Sequence, residues 1–152
     1  MIEIKLDTKP IPVPLIYKLV LLLAVLRYGT RKPFKAPLLS LHVFLWGIRS
    51  EENFDVLRSI ARAGRDTIVP WSFEPSLDKT IILALVNEYC VREIVSNSLE
   101  IKLTGKGNQF LSKIEKLKVF EDDITKIKQI GIIPKVIIEK ASKAWVLTKE
   151  NV

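Results

Sequence analysis

Apolar residues recur at helical spacing along most of the chain, and this pattern predicts a mainly α protein. Over residues 15–27 nearly every position is apolar, which is typical of a helix that is buried on all sides. Over residues 37–48 the leucines recur every three or four positions and form one buried face. A third helix is predicted from Ser50, a favourable N-cap residue, to Ala63.

A helix followed by a β-hairpin is predicted in the middle of the chain. The helix begins near Ser76 and ends near Glu88. Two short strands follow at residues 91–96 and 99–103, with the dipeptide Asn97-Ser98 between them. Because asparagine tolerates a positive φ, we expect a tight turn at this dipeptide.

The hairpin leads into a fifth helix through the motif Leu103-Thr104-Gly105-Lys106-Gly107. Thr104 supplies an N-cap oxygen, and Gly107 lets the new helix approach the sheet closely. This order of helix, hairpin, Leu-Thr-x-x-Gly and amphipathic helix resembles the wing region of winged-helix proteins. The predicted fold class is therefore mainly α with a small β-hairpin wing, a winged helix-turn-helix with a C-terminal helical extension. The alternative is an unrelated helix–hairpin–helix arrangement.

Three segments are predicted along the chain. Residues 1–13 contain two prolines, Pro10 and Pro12, and form an N-terminal arm, residues 14–118 form the winged-helix domain, and residues 119–152 form a helical appendage. The appendage contains two short amphipathic helices, and each apolar face must cover something. We predict that the appendage mediates assembly, either with a second copy of the chain or with another protein.

Candidate partner-binding residues come from a loop and from the appendage. Trp71 and Phe73 lie between two prolines, and aromatic side chains dominate the hot spots of protein interfaces. The alternative is that these two rings fold back onto their own domain. The appendage contributes four further candidates: Ile124, Ile127, Ile137 and Trp145.

The net charge of +7 favours an anionic partner, although a basic surface can also serve solubility alone. Arg58, Arg62 and Arg65 are spaced so that they share one face of the third helix, which we place opposite Phe54 and Leu57. A recognition helix meets DNA through such a face. Cations near a helix C-terminus are also favourable without any partner. The hairpin adds two cations and two acids: Arg92 and Lys102, with Glu93 and Glu100.

No arrangement of residues that carries catalysis is found in the sequence. With one cysteine and one histidine, a zinc site could hardly reach four ligands, and no phosphate-binding loop is present. We therefore expect a protein that is not an enzyme and needs no cofactor or metal. The longest apolar run, residues 19–26, is too short to span a bilayer, so no membrane association is expected. The lone cysteine suits a reducing compartment, and we expect the cytoplasm.

An apolar helix from Tyr17 to Leu26 is followed by three phrases: Leu38 to Trp46 in the second helix, Phe73-Glu74-Pro75-Ser76-Leu77-Asp78, and Leu103-Thr104-x-x-Gly107. In this order they resemble the middle component of bacterial three-component ABC systems, the anti-phage defence operons that include Lamassu-type modules. The resemblance covers roughly residues 14–117, and Glu74 stands where that family is expected to have aspartate. It implies a non-catalytic winged-helix adaptor that docks on an SMC-like or RecN-like ATPase, couples it to an effector and can contact double-stranded DNA. The alternative from another class is a stand-alone DNA-binding transcriptional regulator.

Overall fold

The computed structural model describes residues 5–6, 9–10, 13–63 and 76–150, with side chains over residues 14–62 and 76–142. The described residues are mainly helical, as the apolar pattern predicted. The elements are β1 (Lys5–Leu6), β2 (Lys9–Pro10), α1 (Val13–Gly29), β3 (Lys35–Pro37), α2 (Leu38–Ile48), α3 (Glu51–Ala63), α4 (Leu77–Val86), β4 (Cys90–Val95), β5 (Ser98–Leu103), α5 (Gly105–Lys116), α6 (Glu121–Ile130) and α7 (Lys135–Glu150).

Helix α1 lies at the centre of the fold. Every side chain from Leu19 to Leu26 is buried, because α2, α4, α5 and α6 pack around it. A helix that is apolar on all sides needs such complete coverage. The prediction of a buried first helix is therefore confirmed. Within the described ranges, no helix combines the length and the apolarity that crossing a bilayer requires.

A small antiparallel sheet covers one side of this core, in the order β3-β5-β4. The hairpin turn consists of Ser96 and Asn97, with φ values of 49° and 64°, so that Val95 pairs with Ser98. The turn predicted at Asn97-Ser98 was therefore one residue too late. A two-residue turn of this kind needs two positive φ angles, and Ser98 is instead extended in β5.

Strand β3 was not predicted from the sequence. It has only three residues and ends in Pro37, and its middle residue Ala36 is buried opposite Ile101 of β5. Proline is tolerated because β3 is an edge strand, where one row of backbone groups has no partner strand. Such a short strand has too few positions for an alternating pattern to be recognised.

The junction between the hairpin and α5 is built as predicted. The Thr104 hydroxyl accepts a hydrogen bond from the Gly107 amide at 3.0 Å and donates one to the Glu88 carbonyl at 2.6 Å. A Cβ on Gly107 would lie 2.2 Å from the carbonyl oxygen of Tyr89, so only glycine lets α5 come this close to the start of β4. The expected roles of Thr104 and Gly107 are both confirmed.

Helix α6 belongs to the central core. Ile124 and Ile127 are 3% and 0% exposed and lie in the same apolar cluster as α1. The Tyr17 hydroxyl donates a 2.6 Å hydrogen bond to Asp123, which ties the two helices together. The predicted boundary after residue 118 therefore does not separate two packing units in the part of the chain that the structure describes.

Candidate functional site

The C-terminal half of the exposed face of α4 is apolar. Ile82 and Val86, four residues apart, are 60% and 65% exposed, and the only charges on this helix are those of Asp78 and Lys79 near its start. Helix α4 precedes β4, against which it packs, and Ile94 of β4, near the hairpin turn, is 68% exposed. Exposed apolar side chains on α4 and on the hairpin suit contact with another protein better than contact with phosphates.

The arginines of α3 lie on a face of mixed charge. Arg58 bonds to Asp55 at 3.2 Å, and its guanidinium carbon lies 4.9 Å from the centre of the Phe54 ring. Placing this stripe opposite Phe54 was therefore wrong, because the guanidinium covers the ring. Asp55 and Glu51 share a helical face with Arg58 and Arg62, so two acids balance two arginines there. Arg65 lies outside the described residues.

Lysines form ion pairs with one acid of α3 and with one acid of the hairpin. Lys126 of α6 bonds to Glu51 at 2.6 Å, and this hydrogen bond lowers the pKa of the Glu51 carboxyl. On the sheet, Lys35 bonds to Glu93 at 3.0 Å and lowers the pKa of that carboxyl in the same way. Both acids are thus held in their charged form. They reduce the positive potential that α3 and the hairpin could offer to an anion.

The two hairpin cations point to opposite faces of the sheet. Arg92 pairs in register with Ile101, whereas Lys102 pairs with Val91 and Lys35. Because residues that are directly opposite in a sheet share a face, Arg92 and Lys102 cannot contact one flat ligand together. The structure therefore does not bring the predicted DNA-binding residues into one surface.

Helix α5 carries a basic face that the sequence analysis missed. Lys106, Lys113 and Lys116 are exposed and share an arc with Gln109, and none of them forms an ion pair within the described ranges. The one acid of α5, Glu115, is held by Lys128 at 2.8 Å and by the Tyr28 hydroxyl at 2.6 Å. Burial, followed by this hydrogen bond, raises the pKa of Tyr28 to about 12.

The predicted partner-binding residues have different positions in the fold. Ile124 and Ile127 contact the core of their own chain and are closed to a partner in this arrangement. Ile137 is partly buried against the same core. Trp71 and Phe73 lie outside the described residues, as does the side chain of Trp145 on α7.

Reactive side chains do not gather in a cleft in the described structure. Burial raises the pKa of the Cys90 thiol to about 12, which keeps it protonated and unreactive at neutral pH. Among the described residues, no cluster of three histidine, cysteine or acidic side chains is placed to hold a metal ion.

Comparison with known proteins gave no match to a family model, to a curated protein or to a solved structure.

Proposed function

We propose that the chain is a non-catalytic adaptor built on a winged helix, and that α4 and the hairpin bind another protein. The sheet order β3-β5-β4 supports the winged-helix interpretation, since a short strand after the first helix pairs with the second hairpin strand. Helix α4 stands directly before the hairpin, where a winged helix carries its recognition helix. The described residues include one more helix before the hairpin than the simplest winged-helix arrangement needs.

The observation that carries the protein-binding role is the exposure of Ile82 and Val86 on α4. A recognition helix for DNA needs cations to meet phosphates, whereas this helix has one lysine beside one aspartate. The resemblance set out above makes an SMC-like or RecN-like ATPase of a cytoplasmic anti-phage defence complex the first partner to test, with an effector as a third subunit.

Replacing Val86 with glutamate is expected to weaken binding to an SMC-like or RecN-like ATPase, the proposed partner, by more than tenfold. A charge placed in an apolar interface must be desolvated without a counter-ion. The matched control is Val136→Glu on α7, since Val136 is also an exposed helical valine. Affinity is measured with the purified pair. Equal binding by both variants, or loss only in Val136→Glu, would show that α4 is not the docking face.

Contact with duplex DNA is a second activity, favoured by the lysines of α5, which form no ion pair with the residues that the structure describes. We expect Lys113→Gln with Lys116→Gln to reduce the slope of log affinity against log salt by about 0.9 for each lost phosphate contact. Arg58→Gln with Arg62→Gln removes the same charge from α3 and serves as the control. Both doubles are titrated with one short duplex at several salt concentrations. The assignment of DNA contact to α5 is refuted if the two double variants reduce the slope equally, or if the parent chain does not bind the duplex at low salt.

A further inference from the structure

A cavity of about 460 Å³ lies at the free edge of the sheet. Its walls come from the end of α1, strand β3, the start of α2 and the connection between α6 and α7, residues 131–134. This volume is within the range of sites for small organic ligands. The cavity is on a different part of the molecule from the residues that carry the proposed protein contact on α4.

The walls of the cavity are largely apolar. Val25 and Phe44 of the core line it together with Ile132 and Ile133, and three prolines complete the lining. Ligand sites typically combine such walls with a few polar groups that fix the orientation of the ligand. The polar groups of the lining come from several elements: Ser40 lies on α2, and charged side chains come from Arg31, Lys35, Glu100 and Lys135.

Ser40 provides a buried donor in this wall. The residue is 6% exposed, and its hydroxyl makes no hydrogen bond within the described part of the chain. Leaving a buried hydroxyl without a partner is costly, and a ligand atom would remove this cost. Helix α2 begins beside Ser40, and its N-cap residue, Pro37, has no side chain that could accept a hydrogen bond from the helix. The first amide groups of α2 therefore lack intrahelical acceptors and favour negative charge.

The charged groups of the lining also favour an anion. Arg31, Lys35 and Lys135 stand against one carboxylate, that of Glu100, so the lining has a net charge of +2. Glu100 is buried and bonds to Lys135 at 3.4 Å, while Lys35 is engaged by Glu93. Arg31 forms no ion pair with any residue that the structure describes, which leaves its guanidinium available for a ligand.

We infer that this cavity binds a small amphipathic anion, with one carboxylate or phosphate group on an apolar body. The anionic group lies against the Ser40 hydroxyl, the first turn of α2 and Arg31. The apolar body lies between Phe44 and the Ile132–Ile133 segment. Glu100 is already neutralised by Lys135, so it orients that lysine and does not repel the ligand.

The test uses octanoate as the probe, with octanol and inorganic phosphate as comparisons that lack the charge or the apolar body. Binding to the full chain is followed by the chemical shift of the Ser40 amide in NMR titrations. We expect octanoate to saturate this shift, and octanol and phosphate to bind at least tenfold more weakly. If octanol bound as tightly as octanoate, the proposed contact with an anionic group would be refuted. If phosphate bound as tightly as octanoate, the proposed contact with an apolar body would be refuted. If octanoate did not saturate the shift, the whole proposal would be overturned.

Two variants locate the site. Ser40→Ala and Arg31→Gln should each weaken octanoate binding about tenfold, as expected when a hydrogen bond to a charged group is lost. Lys32→Gln is the matched control, because Lys32 is exposed beside Arg31 but does not line the cavity. Alanine is the better helix former, so Ser40→Ala should fold, which circular dichroism checks. If Lys32→Gln weakened octanoate binding as much as Arg31→Gln, the effect would come from general surface charge and the site would be refuted.

Discussion

Removal of residues 119–152 is expected to unfold the chain rather than release a smaller soluble domain. The removed segment includes Ile124 and Ile127, which complete the packing around α1, and Asp123, which accepts the hydrogen bond from Tyr17. Without α6, one side of the apolar segment Leu19–Leu26 of α1 would face water. The truncated chain should lose its cooperative urea transition and aggregate. If the appendage served only for assembly, as the sequence analysis predicts, the trimmed chain would instead stay folded and soluble and would only stop assembling, so the same experiment tests that prediction.

A point substitution separates loss of packing from loss of chain length. Ile127→Ala should destabilise the full chain by about 2–5 kcal/mol, since a fully buried isoleucine leaves a cavity when it is truncated. Ile82→Ala is the matched control, because the Ile82 side chain is mostly exposed, and it should change the free energy of unfolding by no more than about 0.5 kcal/mol. Equal effects at the two positions would show that α6 contributes little to the core.

Gly107→Ala is expected to destabilise the protein by about 3 kcal/mol. The added Cβ would lie 2.2 Å from the carbonyl oxygen of Tyr89, and a backbone atom cannot turn aside as a flexible side chain can. Helix α5 would have to move away from β4, which would also disturb the hydrogen bond from Gly107 to Thr104.

Gly105→Ala is the control for this substitution, two residues earlier in the same helix. A Cβ on Gly105 meets no described atom within 4 Å, and alanine is the better helix former. This variant should be as stable as the parent chain or more stable by up to about 1 kcal/mol. Denaturation in urea measures both. If Gly107→Ala were as stable as Gly105→Ala, the close approach of α5 to β4 would be refuted.

The features predicted correctly from the sequence are those that depend on neighbouring residues. An unbroken apolar run identified α1 as central, and Thr104 with Gly107 identified the start of α5. Strand β3 was missed because its pairing partner lies more than 60 residues away and its own three residues carry no pattern. The role of α6 was also missed, since an amphipathic face shows that something is covered but not what covers it.

The candidate sites also divide into features that neighbouring residues indicate and features that depend on distant parts of the chain. The spacing of Glu51 and Asp55 could have shown that these acids share a helical face with Arg58 and Arg62. The spacing of the lysines in α5 could likewise have shown that they share a face. The cavity could not have been predicted. It depends on three stretches that are distant in sequence, residues 25–44, Glu100 and residues 132–135. Nothing near Ser40 in the sequence indicates that its hydroxyl is buried without a partner among the described residues.

The burial of α1 from Leu19 to Leu26 has a consequence for the way the protein is made. This helix leaves the ribosome first among the core elements, yet Asp123, the hydrogen-bond partner of Tyr17, is synthesised 106 residues later. At ordinary rates of translation the interval is about 5–20 s. During that time a strongly apolar helix lacks one of its permanent neighbours and can bind chaperones or other nascent chains. Expression of this protein should therefore depend on chaperone capacity and on the speed of translation between α1 and α6.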